Sequence, residues 1–224
     1  MTTINSITKT TGGTMRYGQM VRRGMTVACF LFPLLLLVSA VYRLLGEDTI
    51  YETSGFLSSN DIYIHNFLWL AWLAGIVAML GLVQLIKDRK PMVAFLCTIF
   101  VFIGSVMQLA GYKGSARTAD LRELGFDIFW NTSSGMTPSF FEAFEFTVLL
   151  WVIGVFILAV VVWQTAVLPK WVSLIAIVGT VAYAVSENVP GTIGGIITLI
   201  TGICFALFFS LVGLRLWRGE TAVV

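Results

Sequence analysis

Between Glu187 and Arg215 the chain reads ENVPGTIGGIITLITGICFALFFSLVGLR, and nothing between those two ends carries a charge. The hydrocarbon core of a bilayer is about 30 Å thick and takes roughly 20 apolar residues to cross as a helix. This stretch meets the requirement with residues to spare. Five more uncharged windows lie upstream, at 24–42, 62–86, 91–112, 146–169 and 171–186. Four of them are long enough to cross. The window 171–186 reaches only about 24 Å at helical rise. Lys170 snorkelling outward beside Trp171, or Glu187 set slightly inside the apolar zone, closes the gap.

The windows predict an all-α, polytopic integral membrane protein of six transmembrane helices, packed as an up-down bundle. The expected spans are about 25–45, 62–86, 91–112, 140–167, 169–187 and 191–214, in one domain over 25–216. Composition agrees, with 58% apolar residues, 12% charged residues and a mean hydropathy of +0.90. A soluble domain carries about 25% charged residues. Those values exclude a cytosolic globule, a disordered tail and a nucleic-acid binder, and the net charge of +2 implies no broad electrostatic partner.

The basic residues set the expected orientation. Lys9, Arg16, Arg22, Arg23, Lys87, Arg89, Lys90, Lys170, Arg215 and Arg218 fall on one side, against Arg43, Lys113, Arg117 and Arg122 on the other. The positive-inside rule then places both termini in the cytoplasm, of what is expected to be a bacterial plasma membrane. Asp88 and Glu220 share the inner side, and the remaining acids lie at or beyond the outer face. The first apolar run, with Val38-Ser39-Ala40 near its end, also has features of a signal peptide, but its length favours a retained helix.

Residues 1–24, rich in Thr and Gly at the start, read as a mobile cytoplasmic tail, and 217–224 as a second one. Pro33 lies inside the first apolar run, where neighbouring helices compensate for its missing N–H. The second outer loop, 113–139, has two readings. Leu121, Leu124 and Ile128, with Thr118 as N-cap and Gly125 as stop, suggest a short amphipathic helix on the outer surface, anchored by Phe126, Phe129 and Trp130. A lid over a cavity between helices is the alternative. Asn131-Thr132-Ser133 is a glycosylation sequon, relevant in a eukaryotic source.

Candidate polar groups collect at the outer level: Glu187, Glu145, His65, Glu142, Asn188 and Asp61. Glu187-Asn188 borders the shortest window, and an acid near the apolar boundary is costly unless paired or protonated. Glu142 and Glu145 are three apart, so they share one helical face. Ser139 and Glu142 also fit a capping box, and Glu145 gains from the positive end of the helix dipole. His65, the sole histidine, has Asp61 four residues before it and is suited to general-base work or to an interfacial hydrogen bond. A metal drawn to His65, Glu142 and Glu145 is disfavoured, because one imidazole is few for a membrane zinc site.

Absences narrow the chemistry further. One histidine excludes bis-histidine haem within a chain, and no lysine lies in a helix core to hold retinal. Cys29, Cys97 and Cys204 stand alone in separate windows with no CxxC, so they read as packing residues. Gln84 and Gln108 read as interhelical hydrogen-bonding groups. Gly191 and Gly195, continued by Thr198, Gly202 and Ala206, and the pair Ala71 and Gly75, put small residues at four-residue spacing. That spacing permits close helix approach, within one bundle by default and otherwise between copies.

The segment FFEAFEFTVLLWVIGVFILAVVVWQTAVLPKWVSLIAIVGTVAYAV, Phe140–Val185, joins two apolar helices by Leu168-Pro169-Lys170-Trp171 and carries Gly179 and Tyr183. It resembles the C-terminal half of a bacterial six-helix membrane family described only as a domain of unknown function. That resemblance implies the six-helix fold and supplies no catalytic residue. A histidine common near the start of the family's fourth helix is replaced here by Glu142 and Glu145. The expected function is binding or transport of a small or lipidic molecule, or service as an accessory subunit in contact with membrane lipids. The alternative is an outward-facing His/carboxylate enzyme, metal-dependent in one form, acting on a lipid.

Overall fold

A computed structural model describes the backbone over residues 5–45, 59–123, 138–186, 189 and 191–219. Side chains are described over 18–42, 44, 66–109, 149–186, 189 and 192–219. Every element among the described residues is helical: α1 Asn5–Leu45, α2 Ser59–Ile86, α3 Pro91–Glu123, α4 Pro138–Thr165, α5 Lys170–Ser186 and α6 Gly191–Arg218. Four of them contain described stretches long and apolar enough to cross a membrane, namely 18–42 in α1, 66–86 in α2, 91–109 in α3 and 192–218 in α6. The described parts of α4 and α5, Leu149–Thr165 and Lys170–Ser186, are apolar and shorter.

Consecutive helices pack side by side, and α6 closes on α1, so the six form a ring; α2 also meets α4 and α6 across its middle. Neighbours run antiparallel where their contacts can be followed. Phe30, Leu37 and Leu44 of α1 lie against Gly213, Gly202 and Gly195 of α6, in reverse order. Phe32 lies against Gly75 of α2, and Met25 against Gly81. A Cβ on Gly195 or Gly202 would come within 2.7 Å or 2.8 Å of the facing leucine, and one on Gly75 within 3.0 Å of the Phe32 ring. These glycines let α1 lie close to both partners. Ala71 is fully buried, Ala206 is half-buried, and the surroundings of Gly191 fall outside the described side chains.

One end of the ring collects the basic residues. The α2–α3 turn carries Lys87, Arg89 and Lys90 with Asp88, and Arg89 Nη1 donates to the Thr165 carbonyl at the end of α4. Lys170 opens α5, Arg215 and Arg218 lie in the last turn of α6, and Arg22 packs over Gly219 beside them. Gly219 has φ +71°, the left-handed conformation that ends a helix and favours glycine.

Three boundaries differ from expectation. α1 starts at Asn5, so the backbone over 5–24 is helical where a tail was expected. α3 continues through Lys113 to Glu123, which makes Thr118 an interior residue and removes it as the cap of a separate surface helix. Once a helix is nucleated, each further residue adds a backbone hydrogen bond at little cost, so it continues past the apolar zone into charged residues. α4 opens at Pro138, a proline at the first helical position, so Ser139 lies inside the helix and not at the N-cap that pairing with Glu142 requires. The loop segment 124–137, with its aromatic anchor and sequon, lies outside the described residues.

Candidate functional site

Hydroxyl groups in a dry bundle usually turn back on their own helix, and most do so here. Thr26 donates to the Arg22 carbonyl, Thr98 to Ala94, Thr180 to Ala176, Thr198 to Gly194 and Thr201 to Ile197, all at 2.7–3.0 Å. Ser39 and Ser186 do the same three residues back. Against that background, five buried side-chain atoms among the described residues lack a hydrogen-bond partner: Trp72 Nε1, Trp151 Nε1, Gln108 Oε1, Ser105 Oγ and Ser173 Oγ.

Three of the five belong to one cluster inside the ring. The indoles of Trp72 on α2 and Trp151 on α4 meet edge to face at 4.7 Å between centroids. Tyr183 of α5 stands 5.6 Å from the first and 5.1 Å from the second, again edge to face. Gln108 of α3 completes it, donating from Nε2 to the Tyr183 hydroxyl at 3.0 Å. Ser105 lies three residues before Gln108, on the same helical face, and is fully buried. Below, Phe205 of α6 touches Trp151, and Phe32 of α1 touches Trp72. Phe32, Phe205 and Phe209 then continue the aromatic packing toward the basic end.

Each of the six helices therefore sends at least one side chain to this centre, and only α3 sends an amide. The geometry leaves indole N–H donors and an amide oxygen acceptor pointing at no protein partner. Leaving such a group buried costs about 1–3 kcal/mol. A small guest with an oxygen that both accepts and donates would meet these groups, while ring faces cover its apolar part. Tyr183 is three residues from the end of α5, so the centre lies in the half of the bundle away from the basic turns.

Of the residues chosen from sequence, Asp61 and His65 lie in α2, and Glu142 and Glu145 in α4, with their side chains outside the described ones. Glu187 and Asn188 lie outside the described residues altogether. Among the described residues no group of three His, Cys, Asp or Glu side chains gathers to hold a metal. The thiols of Cys29, Cys97 and Cys204 are free and lie on separate helices; Cys29 Sγ sits 3.8 Å from the Ala78 carbonyl. Gln84 is exposed, so of the two glutamines only Gln108 makes the interhelical bond expected of both.

The aromatic members of the centre escaped sequence reasoning. Trp72 and Trp151 are about 1% exposed, whereas Trp171 and Trp217 are 54% and 63% exposed. All four are tryptophans in apolar helices, and residue type alone does not separate an interior ring from an interfacial anchor. The available signal was Gln108, an amide inside an apolar window, a feature that Gln84 and Gln164 share. No protein-family model, curated protein or solved structure matches this chain, so the likeness of Phe140–Val185 to a six-helix family rests on its residues alone.

Proposed function

We propose that the chain is a six-crossing integral membrane protein, with both termini in the cytoplasm of a bacterial plasma membrane. Its aromatic and amide centre binds a small, mostly apolar molecule reached from the outer side, for presentation or transport. The supporting observation is the set of unpartnered buried atoms on Trp72, Trp151 and Gln108, around a Tyr183 hydroxyl that Gln108 already orients. A buried donor without an acceptor is expensive in a bilayer, where no bulk water reaches it. Several such groups in one place call for a partner from outside the chain, which a guest would supply.

Six crossings are supported by the ring itself. α4 and α5 sit between α3 and α6, whose described stretches are long enough to span, and each packs against both of its chain neighbours. The inward orientation is supported by Arg22, Arg23, Lys87, Arg89, Lys90, Lys170, Arg215 and Arg218 sharing one end with Asp88 the only described acid there.

Native mass spectrometry of the protein in mild detergent tests the binding reading. The wild-type chain is expected to carry an adduct that Gln108→Leu loses. Trp72→Phe, which keeps a ring and removes the N–H, should weaken it roughly fivefold, the value of one hydrogen bond near 1 kcal/mol. A bare wild-type chain, or one whose every adduct is indifferent to both substitutions, overturns the proposal.

A further inference from the structure

At the basic end, α1 and α6 enclose a pocket of about 200 Å³ lined by Gln19, Arg22, Arg23, Thr26, Leu216 and Trp217. Its composition is uneven in an instructive way. Two guanidinium groups and an amide supply donors, Thr26 is spent on the Arg22 carbonyl, and buried Leu216 forms an apolar wall. Among the described residues no carboxylate pairs with Arg22 or Arg23. Capping accounts for one of the two arginines: the Arg22 guanidinium lies over Gly219 at the carbonyl end of α6, close enough that a Cβ there would be 2.8 Å from Nη1. It accounts for neither Arg23 nor the amide beside it, nor for an indole left 63% exposed at the same level.

We infer that this pocket binds the headgroup phosphate of an anionic glycerophospholipid from the surrounding bilayer. Guanidinium forks match phosphate oxygens in geometry and charge. Among the described residues the pocket has no acid to receive the ammonium of a zwitterionic headgroup, so a net negative headgroup fits better. Trp217 belongs at the depth of the lipid carbonyls, where indoles concentrate. The acyl chains also have a path. Along α1, Arg23 leads to exposed Val27, Leu31 and Leu34, and along α6, Trp217 leads to exposed Leu214, Leu207 and Ile203. Charge above and an apolar face below is the arrangement a phospholipid presents in reverse.

The test titrates the detergent-purified full chain with dioctanoyl-phosphatidylglycerol, dioctanoyl-phosphatidylcholine or inorganic phosphate, counting adducts by native mass spectrometry. One phosphatidylglycerol per chain is expected, at least about tenfold tighter than phosphatidylcholine. Arg23→Gln, which leaves the Arg22–Gly219 contact intact, should weaken it several-fold, and Arg22→Gln/Arg23→Gln should abolish the preference. Lys87→Gln/Lys90→Gln removes equal charge from the same end and should change it less than twofold. Equal binding of the two lipids, equal losses in the two double variants, or displacement by equimolar inorganic phosphate each overturns the assignment. Gln108→Leu should leave this adduct in place, which separates its failure from failure of the interior site.

Discussion

Ser105 is the cleanest single residue on which to separate stability from binding. Its hydroxyl is buried with no partner, whereas nearly every other described serine or threonine inside the bundle bonds back to its own helix. Removing an unpartnered hydroxyl without changing the shape of the side chain relieves a desolvation cost. Ser105→Ala is therefore expected to stabilise the ligand-free protein by about 1 kcal/mol, read as a raised midpoint of thermal unfolding in detergent. The same substitution should weaken the interior adduct, because Ser105 shares the helical face of Gln108. A lowered midpoint would mean that the hydroxyl is already satisfied and the centre asks for nothing. Sequence read Gln108, with Gln84, as an interhelical hydrogen-bonding group and named Tyr183 only within the Phe140–Val185 resemblance; it did not single out Trp72 or Trp151, since a buried indole and an interfacial one are the same residue in the same kind of helix. Only the ring of helices decides which tryptophans turn inward.

Helices were legible wherever a charged residue happened to end both the apolar zone and the helix. That is so for α5, bounded by Lys170, and for the α2–α3 turn at 87–90. It fails for α1 and α3, which run past Arg23 and Lys113, because hydropathy marks where the bilayer ends and not where backbone bonding stops. Packing between helices was legible only as small residues at regular spacing, and their costs differ with what each one faces. Gly179 of α5 faces α6 so closely that a Cβ would lie 2.7 Å from the Cys204 Cβ and 3.2 Å from the Phe205 ring. Neither is the loose end of a flexible chain. Gly179→Ala must therefore separate α5 from α6, and overpacking of that kind costs about 1–3 kcal/mol. Gly24 of α1 has nothing within 4 Å of the same position, so Gly24→Ala should gain up to about 1 kcal/mol from helix propensity alone. Thermal unfolding of the two variants should move in opposite directions. A shared direction would mean that the α5–α6 contact is looser than its geometry.

At the scale of the whole molecule, the number of crossings and the direction of insertion can be separated by where an introduced cysteine becomes reachable. The native thiols interfere little, since Cys29 and Cys97 are buried and Cys204 is half-buried among apolar helices. A membrane-impermeant maleimide applied to intact cells should label Glu52→Cys. It should reach Lys90→Cys only after the membrane is opened, because the α2–α3 turn lies at the basic end. Lys170→Cys carries the most information. Lys170 opens α5 directly after α4, the two helices whose described stretches are shorter than a full span. If both cross, Lys170 lies beside the Arg89–Thr165 contact on the inner face and behaves as Lys90 does. If neither crosses, the chain from α3 to the start of α6 stays on the outer side, and Lys170→Cys is labelled on intact cells while Lys90→Cys remains protected. That second pattern would leave four crossings and place the α4–α5 turn away from Arg89, against the packed ring. Labelling of Lys90→Cys with protection of Glu52→Cys would instead keep the ring and invert the molecule, which would put both the interior centre and the arginine pocket nearer the opposite faces from those proposed.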